Sequence, residues 1–177
     1  MASVAELTEP RREILASRDA GVAVFSPALR HPLSEYTGHL SWRLADEPEA
    51  IGSQLRVLVE SDRPRWLNPL MRGLEIVLAL PPGWDSYGAP AIRLASAEAA
   101  LQFAASYLRA NCPAPSVVPL SSGGVQLEWN RPGAQIEVAF EPSEPTLFSV
   151  TDITTGADDG EIPRDQAKLR KYLEGLD

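Results

Sequence analysis

The sequence predicts an α+β fold in which an antiparallel sheet of three or more strands packs against helices. Two patterns predict it: apolar residues recur at helical spacing in several segments, and they alternate with polar residues between about 124 and 153. The chain has 177 residues, of which 44% are apolar, and this is enough for one core without disulfides or metals. We therefore expect residues 1–177 to form a single domain.

Apolar residues at helical spacing predict four helices, at about 47–61, 66–80, 96–110 and 164–175. Ser96 is the expected N-cap of the third, and Pro163 opens the last. A further short helix is expected from Val4 to Ser17. The piece Val22 to Phe25 is followed by prolines and a glycine, which leaves either short strands or an irregular cap open.

Alternation predicts three strands, at about 124–130, 135–141 and 146–153, joined as a meander. In the first strand Val125, Leu127 and Trp129 point one way, and the polar residues between them point the other way. Thr154 to Glu161 is predicted to be an acidic loop. The domain is thus expected to comprise a mostly helical part (1–80), a loop-helix-meander module (81–153) and a C-terminal helix (163–176).

The net charge is −8, and the acidity is concentrated near the C-terminus. Between Pro132 and Pro163 there are seven acids and neither Lys nor Arg: Glu137, Glu141, Glu144, Asp152, Asp158, Asp159 and Glu161. Such a stretch repels phosphates and disfavours nucleic acid as a partner. It is either a docking face for a basic protein or ordinary solvated surface.

The residues that usually carry catalysis are scarce. His31 and His39 are eight positions apart in a poorly patterned region, and the single cysteine, Cys112, follows a helix whose carboxyl end disfavours a thiolate. We predict no metal, no cofactor and no nucleophile site. A carboxylate pair such as Asp85 with Glu128 could support a hydrolase or a glycan-active enzyme, provided that the fold brings the two into one cleft beside Trp84 and Trp129.

Two strings stand out: Pro82 to Ala89 (PGWDSYGA) and Gly123 to Trp129 (GGVQLEW). They resemble a pairing found in a group of small bacterial proteins for which no activity is established, and the resemblance spans about residues 81 to 141. It implies a bacterial source and the boundary of the central module, and it carries over no catalytic residue. The rings of Trp84, Tyr87 and Trp129 are expected either to pack on one another or to line a groove that accepts a partner's side chain.

The first 20 residues hold no apolar stretch of signal-peptide length, and no apolar run approaches the roughly 20 residues that span a bilayer. We therefore expect a cytoplasmic, non-catalytic protein-binding or regulatory protein, such as an acidic antitoxin-like inhibitor of a basic partner. The alternatives are the hydrolase above and a structural subunit of a phage or larger assembly. The oligomeric state stays open.

The candidate binding residues are Trp84, Asp85, Tyr87, Glu128, Trp129, Glu137, Glu141, Asp158 and Asp159.

Overall fold

The structure is a computed structural model that describes residues 63–176 in full and, before them, the backbone of four short strands. In chain order the elements are β1 (Ile14–Ala16), β2 (Val22–Phe25), β3 (Glu49–Ile51), β4 (Leu55–Val59), α1 (Leu67–Leu78), α2 (Leu94–Tyr107), β5 (Ser116–Pro119), β6 (Val125–Arg131), β7 (Ala134–Phe140), β8 (Thr146–Asp152), β9 (Gly156–Ile162) and α3 (Gln166–Glu174).

The strands form two antiparallel sheets. The larger is a five-stranded meander in the order β5-β6-β7-β8-β9, and the smaller has the order β1-β2-β4-β3. Helix α2 lies beside β6 and β7 of the larger sheet and also beside β1 and β2 of the smaller one. It therefore adjoins both sheets, and the α+β fold class predicted from the sequence is confirmed.

One face of the meander forms the core together with the three helices. Each of β6, β7 and β8 contributes every second residue to this face, as alternation predicts. The largest fully buried side chains are Trp66, Leu67, Leu70, Leu74, Leu101, Leu127 and Leu169. Burying a leucine or aromatic side chain of this kind contributes about 1.5–3 kcal/mol relative to leaving it in water.

Helix α2 is buried on more than one side because it has neighbours on more than one side. Its buried residues include Ala97, Leu101 and Ala104, and also the polar Ser96. The predicted capping role of Ser96 is wrong, since Arg93 occupies the N-cap position and the Ser96 hydroxyl lies buried without a hydrogen-bond partner among the described residues. Interior packing, rather than capping, sets the residues at this end of the helix.

Close contacts between elements require glycine at two positions. A Cβ at Gly73 of α1 would lie 2.5 Å from a methyl carbon of Val117, which shows how closely this helix approaches β5. A Cβ at Gly160 of β9 would lie 2.5 Å from the ring of Phe148 and 2.8 Å from the Asp165 Cβ. In both places the absence of a side chain permits close packing.

The predictions for residues after 63 are largely confirmed. Helices expected at 66–80, 96–110 and 164–175 are α1, α2 and α3, and the three expected strands are β6, β7 and β8. The loop expected over 154–161 is wrong, because Gly156–Ile162 is strand β9, paired along its length with β8. Its Asp and Gly residues have low strand propensity, so the pairing comes from main-chain hydrogen bonds to the neighbouring strand.

The helix predicted over 47–61 is also wrong. Glu49–Ile51 and Leu55–Val59 are strands that pair antiparallel, with Ile51 opposite Leu55. The apolar residues of this segment fit a helical period, but Leu55–Val59 pairs with a strand on each side, β2 and β3. Short apolar runs do not distinguish helix from strand by spacing alone.

The expected helix from Val4 to Ser17 fails over its described part, because Ile14–Ala16 is strand β1. Val22–Phe25 is a strand, which selects the first of the two options left open there. Thus strands, not helices, make up the described residues before Arg63. The remaining positions of these predictions, and both histidines, lie outside the described residues.

Candidate interaction surface

The face of the meander turned away from the helices, here called the outer face, is the candidate site. Its side chains are half-buried or exposed, whereas on β6, β7 and β8 the residues between them are mostly buried. The outward residues are Ser116 and Val118 on β5, Gln126, Glu128 and Asn130 on β6, Gln135, Glu137 and Ala139 on β7, Leu147, Ser149 and Thr151 on β8, and Ala157, Asp159 and Glu161 on β9. None of these described strand residues is Lys or Arg.

Strand register brings the carboxylates into one row across the sheet. Glu128 of β6 lies directly opposite Glu137 of β7. Glu137 lies opposite Ser149 of β8, and Ser149 lies opposite Asp159 of β9. Like charges that face each other across a strand pair are destabilising, so this row keeps an unfavourable arrangement on the surface.

Two glutamine amides hold the facing carboxylates in place. The Nε2 of Gln126 donates to Oε1 of Glu128 at 2.8 Å, and the Nε2 of Gln135 donates to Oε1 of Glu137 at 2.6 Å. Each glutamine precedes its glutamate by two residues on the same strand and therefore shares its face. An amide donor orients a carboxylate without neutralising its charge, so the row remains negative.

A pocket of about 360 Å³ opens on this face. Its lining includes Glu137, Asp159 and Glu161, together with the apolar side chains of Ala139 and Leu147. Leu147 is 48% exposed, and it lies opposite Ala139 in the strand pairing. The pocket therefore combines an apolar patch with acidic walls.

Arg164 is the positive group of the pocket lining, and it is already engaged. Its guanidinium lies 3.0 Å from the carboxylate of Asp165 and 3.8 Å from that of Glu161. The hydrogen bond and charge of Asp165 raise the pKa of Arg164 above its ordinary value. Among the described residues its ion pairs are with Asp165 and Glu161, and neither of these carboxylates belongs to the row of Glu128, Glu137 and Asp159.

Helix α3 closes the free edge of β9. The Asp165 carboxylate accepts the N–H of Glu161 at 2.9 Å, and Lys168 donates to the carbonyl of Asp159 at 2.8 Å. The N–H of Glu161, followed by Arg164, holds the pKa of Asp165 below its ordinary value. With these groups occupied, this edge offers little main chain for another strand to pair with.

On the opposite side of β9, Asp158 forms a second cluster. Its carboxylate accepts hydrogen bonds from Lys168 and, at 2.9 Å, from the hydroxyl of Tyr172. Lys168 and then Tyr172 lower the pKa of Asp158, and Asp158 in turn raises the pKa of both. Asp158 therefore attaches α3 to the sheet and does not belong to the outer face.

Asp85 organises its own loop. Its Oδ1 accepts the N–H of Tyr87 at 2.9 Å and that of Ala89 at 3.0 Å, and the N–H of Gly83 donates to the Ala89 carbonyl at 2.7 Å. The two amides, that of Ala89 first, hold the pKa of Asp85 below its ordinary value. Glu128 is bonded within β6. Each of the two carboxylates suggested as a catalytic pair thus has a hydrogen-bond partner in its own element.

The three rings of the two strings have separate environments. Trp129 is buried, and its indole donates to the Pro113 carbonyl at 2.9 Å, while the indole of Trp84 donates to the Pro90 carbonyl at 3.3 Å. Tyr87 is 94% exposed. Trp129 is thus a core residue, Trp84 braces the loop, and the ring of Tyr87 is accessible to another molecule.

The candidate binding residues therefore divide into groups. Glu128, Glu137 and Asp159 lie on the outer face, whereas Glu141 accepts a hydrogen bond from Ser122 beside the β5–β6 turn. The sequence pattern missed the apolar members of the surface, Ala139 and Leu147. The alternation of β7 and β8 places both residues outward. The available signal in the sequence was therefore a leucine at a position of β8 where a polar residue is expected.

Within the described residues, no group of three or more His, Cys, Asp or Glu is arranged to hold a metal ion. Cys112 is buried and forms no disulfide. A search of the described helices for one long and apolar enough to cross a membrane finds none.

Comparison with known proteins finds no match: no family model, no curated protein and no solved structure resembles the chain closely enough to count. Function must therefore be inferred from the surface itself.

Proposed function

We propose that this chain is a non-catalytic protein-binding module whose outer face binds a basic protein. The observation that carries the proposal is the row formed by Glu128, Glu137 and Asp159, on a sheet face that the described helices do not cover. Glutamine amides hold its two glutamates. A protein that needed only solubility would gain nothing from placing two glutamates directly opposite each other.

Charge complementarity supports a basic protein rather than another class of partner. The outer face carries four carboxylates, those of Glu128, Glu137, Asp159 and Glu161. Arg164 is the cationic residue in the lining of the pocket on this face. Such a field attracts a cationic surface and speeds its association, and it repels the phosphates of nucleic acid.

An inhibitor of a basic toxin or nuclease in the cytoplasm is the specific role that this chemistry fits. Enzymes that act on nucleic acid carry basic surfaces to contact phosphate. An acidic face that covers such a surface blocks substrate and gains affinity from the same charges. Tyr87, which is exposed on its own loop, is a second and separate accessible group of the kind that concentrates binding energy at interfaces.

The test is binding of a flexible, fluorescently labelled lysine-rich peptide, measured by fluorescence anisotropy over a range of salt concentrations. The double variant Glu128→Gln/Glu137→Gln removes two charges from the row while keeping side-chain size. The matched control Glu75→Gln/Glu144→Gln removes two charges from exposed positions on α1 and the β7–β8 turn. Both variants therefore have the same net charge.

We expect the outer-face variant to weaken binding about tenfold and to flatten its salt dependence, while the control binds almost like the wild type. Equal weakening in the two variants would mean that the peptide responds to net charge alone, and the proposed binding face would be wrong.

A further inference from the structure

We propose that the segment recognised by the outer face is a cationic amphipathic helix, with one apolar side chain in the pocket over Ala139 and Leu147 and Lys or Arg side chains over Glu137 and its row. This inference rests on the proposed function, because it specifies what kind of basic partner the face binds. Beyond a basic partner, it specifies that the bound segment is helical and that one of its apolar side chains occupies the pocket.

The apolar anchor follows from the composition of the pocket. Ala139 lies between the longer side chains of Gln126 and Leu147 in the strand pairing, so its small size creates a depression. Leu147 forms one wall and is 48% exposed although it is a large apolar residue. A volume of about 360 Å³ accommodates an apolar side chain, and its burial there removes exposed apolar surface from water on both molecules.

The spacing of the apolar and acidic groups matches one turn of a helix. Ala139 and Glu137 are two positions apart on β7, which separates them by about 6.6 Å along the strand. Residues i and i+4 of an α-helix are about 6 Å apart along the axis and lie on the same face. A helix with an apolar residue followed four positions later by Lys or Arg therefore presents both groups to the two halves of the site.

A helix also keeps its main-chain hydrogen bonds when it binds to a sheet face, whereas an extended peptide does not. A peptide lying flat on a sheet face finds no main-chain partners there, so its own N–H and C=O groups lose water without compensation. Strand addition would require an open edge, and at β9 the amide of Glu161 and the carbonyl of Asp159 are already bonded to side chains of Asp165 and Lys168. A helix satisfies its backbone internally and needs only side-chain contacts.

The charge of the face argues against a second copy of this chain as the occupant. A symmetric dimer through this surface would place the row of Glu128, Glu137 and Asp159 against an identical row. Such a contact juxtaposes like charges, whereas a cationic helix neutralises them.

The experiment compares two synthetic peptides of identical composition. One is a designed Leu/Lys/Ala helix with Leu and Lys four positions apart on a single face, and the other has the same residues in an order that abolishes the amphipathic face. Affinities of the full chain for both peptides are measured by isothermal titration calorimetry. The variant Ala139→Leu fills the pocket without changing charge, and Asn68→Leu adds a leucine at an exposed position of helix α1, which is not part of the outer face or of the pocket lining.

We expect the amphipathic peptide to bind roughly 10- to 100-fold more tightly than its scrambled counterpart, as burial of one leucine-sized group implies. Ala139→Leu should remove most of that advantage and leave the scrambled peptide's affinity unchanged. Asn68→Leu should leave both affinities unchanged. Circular dichroism of each variant, matching the wild type, shows that the fold is retained.

Equal affinity of the two peptides, or insensitivity of the amphipathic peptide to Ala139→Leu, would overturn the inference while leaving a basic partner for the face intact. If neither peptide bound at low salt, the proposed function itself would fail. A variant that altered only self-association, seen by sedimentation, would identify the face as a contact between copies and would also overturn the inference.

Discussion

The two faces of the meander are built from the same strands and behave differently. On the inner face Leu127 and its alternating neighbours are buried against the helices, and geometry leaves little freedom there. On the outer face Glu128 and Glu137 oppose each other, and each accepts a hydrogen bond from a neutral amide. The inner face is packed for stability, whereas the outer face keeps an unfavourable charge arrangement, and the proposed binding role rests on this difference.

The largest difference between the faces should appear when the same leucine truncation is made on each. Leu127→Ala on the inner face should lower the free energy of unfolding by about 2–5 kcal/mol, because it leaves a cavity in packed surroundings. Leu147→Ala on the outer face should cost less than about 1 kcal/mol, since half of that side chain is already in water. Urea unfolding of both variants measures the two values, and equal losses would remove the distinction between the faces.

A substitution at Gly160 in the edge strand β9 measures how tightly the inner face is packed at the border of the sheet. Gly160→Ala should cost about 1–3 kcal/mol, because the new methyl group would meet the Phe148 ring and the Asp165 Cβ. Thermal unfolding measures the loss. In a Phe148→Leu background the loss should shrink, and an unchanged loss there would show that the ring is not what Gly160 accommodates.

On the outer face, removal of one charge should stabilise the protein. Glu137→Gln should raise the free energy of unfolding by about 0.2–1 kcal/mol, because it relieves the repulsion from Glu128 across the strand pair. The gain should fade in 1 M salt, where charges are screened. Glu144→Gln, in the β7–β8 turn, is the control and should have no measurable effect. A loss of stability in Glu137→Gln would mean that the carboxylate serves the fold and not a partner.

The smallest effect concerns Asp158, the acid that turns toward α3. Its pKa is lowered in the folded protein, so its contribution is present above the ordinary aspartate pKa and is lost as pH falls through the lowered value. The raised pKa values of Lys168 and Tyr172 have a different consequence at high pH. The contribution of Lys168 is complete at neutral pH and is lost in alkali, as pH rises through its raised pKa.

Asp158→Asn should therefore lower Tm slightly at neutral pH and have no effect at acid pH below the folded pKa of Asp158. Scanning calorimetry at several pH values checks the trend. Asp159→Asn, on the other face, is the control and should show no such loss. A Tm difference that stayed constant with pH would contradict the assignment of the ion pair.

The site was only partly predictable. Glu128, Glu137 and Asp159 are candidates from sequence alone, and the acid stretch without bases that holds the last two is visible in one dimension. Their arrangement as a row is not visible there, since it depends on which residues of β6, β7, β8 and β9 lie opposite one another. Asp158 and Asp159 are adjacent in the chain, yet they point to opposite faces, so composition alone could not separate attachment of α3 from a binding surface.

The sequence by itself determined the α+β class, the three central strands and the helices after Arg63, because the alternation and the helical period of apolar residues are local properties. Only the tertiary structure decided that Gly156–Ile162 is a strand and that Leu55–Val59 is not a helix. These segments take their form from hydrogen bonds to a neighbouring strand, and neither an Asp- and Gly-rich run nor a mostly apolar run of five residues shows by its own pattern that it will pair. The same reason explains the pocket, since Ala139 and Leu147 become neighbours only when strand register brings them together.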